Sequence, residues 1–296
     1  MVRYSKLPFR LLIRSYDVDV TYTPMMLAHE FNRSAIARDS DFTTCELERT
    51  AVPPQQPRIL IAQFAASDPV EFARAAQLIA SWVDGVDLNC GCPQSWAIKE
   101  GIGCSLMEDP ESVAAMVRAA KHVLSPMGRS VSVKIRIHKD LQRTLQWVKV
   151  VEAAGVDYIT VHGRTRSQRS STPPDYDAIR QIKAAATVPV VANGDAYARH
   201  HVKKIATLTG VDGVMAARGI LENPALFAGY ETTPPECVRA FLRLAVRYPI
   251  PYALVLHHMA DMTNRMPDMT KRERKRLMEC QDLVDLIDFV QEKWPR

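Results

Sequence analysis

At 296 residues, 47% of them hydrophobic and 24% charged, the chain has the composition of an ordinary globular protein. It is long enough for one barrel of about 250 residues with a small appendage. No run approaches the roughly eighteen apolar residues of a membrane span, and six cysteines are too sparse for a disulfide scaffold, so reduced thiols in an intracellular, cytoplasmic setting are expected. The net charge of +5 admits a polyanionic partner without requiring one.

The first sixteen residues carry Arg3, Lys6, Arg10 and Arg14 and no acidic residue, a bias shared with organellar transit peptides. Leu7, Leu11 and Arg14 keep helical spacing, and a barrel helix is the preferred reading. Short β-rich runs follow at 18–24, 58–64, 84–89, 131–137, 157–162, 188–193 and 211–216. Amphipathic stretches at 69–82, 110–124, 141–154, 175–186 and 198–209 separate them. Such alternation means a parallel sheet covered by helices. Gly85-Val86-Asp87, Gly155-Val156-Asp157 and Gly210-Val211-Asp212 punctuate three of the strands alike. That recurrence favours an α/β TIM (β/α)8-type barrel over an open doubly wound sheet. Gly101-Ile102-Gly103 lacks the third glycine and the preceding strand of a dinucleotide fingerprint.

Seven strands are one short of the eight such a barrel needs. The chain opens on a helix, so the first strand is expected upstream of Met1 or replaced by another segment, leaving an open sheet edge. Residues 45–57 read as a surface loop. After Tyr230 the texture changes: 231–235 is a linker, and helices are expected at 236–248, 251–264 and 270–294. The division is therefore a barrel over 1–230 and a helical domain over 231–296. The basic run from Lys271 to Arg276 suits either a solvated helix face or contact with a phosphate backbone.

The strand ends carry the chemistry. In order they offer Gln63, Asn89 with Cys92, Lys134 with Arg136, His162 with Arg164, Asn193 with Asp195, and Arg218. All would face one mouth of the barrel. The loops Asn193-Gly194-Asp195 and Ala217-Arg218-Gly219 close the last two strands, where this fold usually holds phosphate. Alternation sends Lys134 and Arg136 to the same face, and an inward lysine is costly unless it meets an anion. A flavin edge that becomes negative on reduction would be one, and His162 could donate to it. Cys90 and Cys92 lack the second ligand pair of a zinc site, so no metal is expected. A disulfide two residues apart would be strained. Cys90 reads as packed in its strand. Cys92, beyond Gly91 and fixed by Pro93, is the exposed candidate for acid, nucleophile or ligand.

Asp87-Leu88-Asn89-Cys90-Gly91-Cys92-Pro93, Val133-Lys134-Ile135-Arg136, Thr160-Val161-His162-Gly163-Arg164-Thr165, Ala192-Asn193-Gly194-Asp195 and Gly213-Val214-Met215-Ala216-Ala217-Arg218-Gly219, in that order, resemble the tRNA-dihydrouridine synthases. The resemblance runs from Met1 to about Tyr230, and the helical tail is similar to the family's tRNA-binding domain. Met1 to Leu7, Ala37 to Ser40 and Phe227 to Tyr230 resemble the eukaryotic branch that acts at positions 20a and 20b. The resemblance implies FMN across the barrel mouth, with NADPH as reductant. Gln63, Lys134 and His162 would hold its ring and ribityl groups, and Asn193, Gly194, Asp195, Ala217 and Arg218 its phosphate end. Met1 and Val2 match the end of the family's first FMN-contacting motif. Asn89, Arg136 and Arg164 would meet the substrate, and Cys92 would protonate C5 of a D-loop uracil, since a free thiol is largely protonated at neutral pH. Ala217 stands where many members have glycine, and Cys104 replaces a small residue. The implied partner is tRNA, bound by a monomer. Two other readings use the same residues: a flavin barrel that reduces a free pyrimidine, and a shortened paralogue that binds RNA or protein without catalysis.

Overall fold

The computed structural model describes residues 3–49 and 58–295; Met1 and Val2 therefore lie outside the described residues. Its strands are β1 (Val20–Tyr22), β2 (Met26–Leu27), β3 (Ile59–Ala65), β4 (Gly85–Cys90), β5 (Ser130–Arg136), β6 (Tyr158–His162), β7 (Val190–Asn193) and β8 (Gly213–Met215). All seven expected strands are present, and β2 is an addition that pairs with the end of β3. The sheet is parallel throughout, in the order β1-β3-β4-β5-β6-β7-β8, curled in the manner of a TIM barrel. Its register sets Asn89 beside Lys134, and Arg136, His162, Asn193 and Met215 in one row at the carboxyl ends.

In chain order the helices of the first part are α1 (Leu7–Arg14), α2 (Ala28–Arg33), α3 (Ala35–Asp41), α4 (Glu46–Arg49), α5 (Pro69–Ile79), α6 (Ser95–Lys99), α7 (Pro110–Leu124), α8 (Leu141–Ala153), α9 (Tyr176–Ala185), α10 (Arg199–Thr209) and α11 (Arg218–Glu222). Four of these helices, α5, α7, α8 and α9, begin on an aspartate, Asp68, Asp109, Asp140 and Asp175, whose side chain accepts a backbone N–H of the first turn. That satisfies donors the helix itself cannot pair. Val131, Val133 and Ile135 point outward from β5 and are wholly buried against α7 and α8 in the main core. The opposite parity is left facing the barrel interior.

No ladder joins β1 to β8 among the described residues. The open edge expected from seven strands is therefore present. Phe9 and Ile13 of α1, with Ile220 and Phe227, line the interior along this seam, so side chains wall it where an eighth strand would lie. The basic α1 is buried rather than solvated. Arg10 is 1% exposed, and its guanidinium meets Glu48 at 2.6 and 3.0 Å and the carbonyls of Ser5 and Thr43 at 2.6 Å. Glu48 sits on α4, inside the stretch expected to be a surface loop. The reason is this pairing: a buried guanidinium needs a carboxylate.

The tail folds as α12 (Pro235–Arg247), α13 (Tyr252–Thr263), α14 (Lys271–Glu279) and α15 (Leu283–Lys293). The single helix expected over 270–294 is broken. Asp282 accepts the N–H groups of Val284 and Asp285 and starts α15 afresh, a local bond that competes with continuing the helix. Thr270 and Glu273 form a reciprocal capping box at the start of α14. A second core joins Phe9, Leu12 and Ile13 of α1 to Phe241, Met259, Leu286 and Phe289 of the tail. No helix among the described residues is long and apolar enough to cross a membrane.

Candidate active site

The carboxyl ends of the strands open on a cavity of about 720 Å³. Gln63, Asn89, Cys92, Lys134, Arg136, His162, Asn193 and Ala217 all line it. Residues from six separate strand ends, spread over 154 positions from Gln63 to Ala217, thus share one chamber because parallel strands end on the same side.

Cys92 sits in the loop after β4, against the small apolar cluster of Ala65, Ala97 and Ile102. Its geometry is fixed from three sides. Asn89 Oδ1 accepts the N–H groups of Gly91 (3.0 Å) and Cys92 (2.9 Å). The Cys92 carbonyl accepts the N–H of Cys104 at 2.9 Å. Gly103 adopts φ +64°, and a Cβ there would lie 2.7 Å from the Cys92 oxygen, so only glycine permits this approach. The thiol is half-buried, while Cys90 is fully buried in β4 as expected. All six cysteines are free, and no group of three or more metal-ligating side chains is found among the described residues.

Lys134 is the second fixed point. Its ammonium faces the cavity and makes no hydrogen bond among the described residues. Burial lowers its pKa to about 8, although the charge of Asp87 pulls upward. A partly buried ammonium that makes no hydrogen bond to its own chain favours an electron-rich ligand in the cavity it faces. Beside it, His162 is held neutral: burial, then the charges of Lys134, Arg136, Arg164 and Arg218, push its pKa down to about 2. Arg164 Nη1 lies 3.1 Å from His162 Nε2. Guanidinium can only donate, so Nε2 accepts and the proton sits on Nδ1. His162 is therefore a fixed N–H donor.

Some expected residues are placed differently. Arg164 is 1% exposed and does not line the cavity; its donors go to the carbonyls of Thr172 (2.5 Å) and Ser170 (3.2 Å) and to Asp195 (2.5 Å). The expectation that it touches substrate is corrected: it orients His162 and ties down its own loop. Arg136 does border the cavity, but it bonds the carbonyls of Gly91 (3.0 Å) and Thr165 (2.9 Å), linking two strand-end loops. Asn89 is mostly committed to the Cys92 turn rather than held out toward a base, with one amide N–H left over. Asn193 donates to Met215 O at 2.9 Å. Gly194, Asp195 and Arg218 lie beside the cavity rather than on its wall. Asp195, at φ +46°, holds both Arg164 and Arg218, the latter at 2.8 Å, so the three leave one net positive charge at this end. Gly219 is required there, since a Cβ would come within 1.9 Å of Ala196 O.

The interior also holds residues that the strand-end reading passed over. Asp87 is fully buried and accepts Ser132 Oγ (2.7 Å) and Gln63 Nε2 (2.8 Å). Burial raises its pKa to about 6 against the pull of those bonds and of Lys134. Tyr22 and Tyr158 share a hydrogen bond of 2.6 Å below them. The signal was available: Asp87 with Asn89, Ser132 with Lys134, and Tyr158 with His162 share parity, so every one faces inward.

Comparison with known proteins bears on the family. The family described as Dihydrouridine synthase (Dus) matches residues 1–291. A tRNA-dihydrouridine(20a/20b) synthase of Schizosaccharomyces pombe is 47% identical over 99% of this chain and 85% of its own. A human protein named as like that enzyme is 43% identical over 98% and 88%, and the Saccharomyces cerevisiae enzyme is 40% identical over 98% and 77%. With the family pattern running through barrel and tail alike, and with each of its motifs ending at the one chamber, the chain belongs to the dihydrouridine synthase family.

Proposed function

We propose that the protein reduces uridine to dihydrouridine in the tRNA D-loop, at positions 20a and 20b, with FMN as its cofactor and NADPH as reductant. The position is that named for the relatives at 40–47% identity. The observation that carries the site assignment is Lys134, whose ammonium makes no hydrogen bond among the described residues and faces a cavity of about 720 Å³. That chamber suits a planar tricyclic ring, and the donor set suits its electron-rich edge. Lys134 Nζ, His162 Nδ1–H and the remaining amide N–H of Gln63 would hold the ring; Asn193, the Ala217 N–H and exposed Arg218 would hold the phosphate end. FMN, when bound, supplies the hydride that saturates the C5=C6 bond.

The chain's own residues do the rest. Cys92 Sγ–H delivers the proton that C5 of the uracil takes up. Lys134, half-buried on the cavity wall, would set its positive charge against the edge of the ring that becomes negative on reduction. The base must leave its stack to arrive there, which requires a surface that grips folded RNA. The barrel of 1–230 would carry the chemistry, and the helices of 231–296, with Lys271 and Arg272 exposed on α14, would hold the tRNA. Incubating the purified protein with NADPH and unmodified tRNA, then mapping dihydrouridine along the molecule, tests the reading. Dihydrouridine at 20a and 20b is expected. Conversion of free uridine but not of tRNA, or no conversion, would contradict it.

A further inference from the structure

Asp87 lies one turn of the pleat below Asn89 and does not touch the Cys92 loop. It is connected to it, however, by an unbroken series of amide contacts. Gln63 Nε2 donates to Asp87 Oδ2 (2.8 Å), Asn89 Nδ2 donates to Gln63 Oε1 (3.0 Å), and Asn89 Oδ1 accepts from Gly91 and Cys92 N–H (3.0 and 2.9 Å). Each carboxamide has one end that only donates and one that only accepts. The ionised carboxylate accepts only, so Gln63 must present its NH2 group downward. Its oxygen then faces Asn89, which must answer with NH2, and the Asn89 oxygen is left aimed at the two backbone donors. The direction of every bond follows from the first.

We propose that Asp87 is a positioning residue for the Cys92 thiol, acting through the fixed polarity of Gln63 and Asn89. This deepens the dihydrouridine-synthase reading and rests on it for the role of the thiol. Ser132 Oγ, on the other oxygen of Asp87 at 2.7 Å, holds the carboxylate plane. Were the Gln63 amide free to rotate, Asn89 Nδ2 would lose its acceptor, the Asn89 side chain would be held only at its oxygen end, and the turn that carries Cys92 would sample a second arrangement. Placement errors of this kind are felt chiefly in the step that uses the displaced group.

Two substitutions separate this from a general packing role. Asp87→Asn can still offer an oxygen to Gln63 and an NH2 group to Ser132, so the relay survives. Asp87→Leu cannot. Flavin reduction by NADPH and hydride transfer to tRNA are measured separately, together with site-resolved alkylation of Cys92 by iodoacetamide in flavin-free protein. Asp87→Leu should keep flavin reduction within about twofold, lose about tenfold in transfer, and change the Cys92 alkylation rate at least threefold. Asp87→Asn should restore both readouts to within about threefold of the parent. Gln63→Met, which cuts the second link, should reproduce the alkylation change in flavin-free protein, and that readout alone stands in for Asp87→Leu should the latter not fold. Parent-like transfer and alkylation in Asp87→Leu would overturn the inference, as would equal damage in both Asp87 variants. The alkylation arm needs neither flavin nor tRNA. It decides the inference even if the parent protein leaves tRNA unmodified, an outcome that would sink only the functional reading.

Discussion

Lys134 carries its charge only below about pH 8, and a ligand that depends on that charge must feel its loss. Raising the pH deprotonates the free site first, since an electron-rich ligand lifts the pKa in the complex. By linkage, affinity should fall about tenfold per pH unit above pH 8 until the complex also titrates. FMN titrated into flavin-stripped protein from about pH 7 to pH 9 should show that slope. Lys134→Met should bind weakly and without it. A flat profile in the parent would remove Lys134 from the account. This lysine was legible in the sequence because the alternation of Val133, Lys134 and Ile135 states which way it points. Arg164 was not: its parity matches His162, but its length lets it fold back onto Thr172 and Asp195, and nothing in a single sequence fixes that choice.

At the scale of elements, α1 is the barrel helix its spacing predicts, but its basic bias, shared with transit peptides, does not show that its arginines are interior: Arg10 has side-chain exposure of 1% and Glu48 of 0%. The helix was foreseeable from its leucine spacing, whereas its partner was hidden 38 residues away in a stretch rich in loop-forming residues. Breaking a buried pair by neutralising one member costs about 3–5 kcal/mol. Glu48→Gln should therefore lower stability by roughly that amount in a urea titration, where a change below about 1 kcal/mol would show the pair to be solvated. Gly103 makes a second test. Gly103→Ala forces the residue against Cys92 O, and it should slow transfer to tRNA while sparing flavin reduction by NADPH. The four aspartate caps explain why the barrel helices began where their periodicity began. Asp282 explains why the last helix did not run through.

At the scale of the molecule, no ladder closes the barrel between β1 and β8 among the described residues, and the tail closes around α1 rather than around the sheet. His258 sits at that junction, wholly buried, stacked on Phe9 at 4.5 Å and edged by Tyr4 at 5.3 Å. Neither ring nitrogen has a hydrogen-bond partner among the described residues, and burial, helped by His257, pushes its pKa down to about 3. The unfolded chain takes up this proton near pH 6.5 and the folded one does not, so stability is lost as pH falls through that window. Asp87, raised to about 6, contributes with the opposite sign, but it cancels between variants that differ only at 258. His258→Phe should thus gain about 2 kcal/mol on the parent between pH 7.5 and pH 5, at about 1.4 kcal/mol per unit below pH 6.5. An unchanged difference would mean the ring is protonated in place. The architecture itself was readable because βα alternation leaves few alternatives. The walling of the seam by Phe9, Ile13, Ile220 and Phe227 was not, since it depends on contacts between distant segments.

The proposed division of labour, Cys92 giving the proton and the flavin the hydride to one tRNA uracil, is tested most directly by a single-turnover experiment. Protein reduced anaerobically by NADPH is mixed with unmodified tRNA, and flavin reoxidation is followed near about 450 nm. In the parent, tRNA should reoxidise the flavin with one dihydrouridine formed per flavin. In Cys92→Ala, reduction by NADPH should be unchanged and reoxidation by tRNA slowed by at least about a hundredfold, the scale of a lost general acid. Equal reoxidation in the two proteins, or none in the parent, would contradict the account.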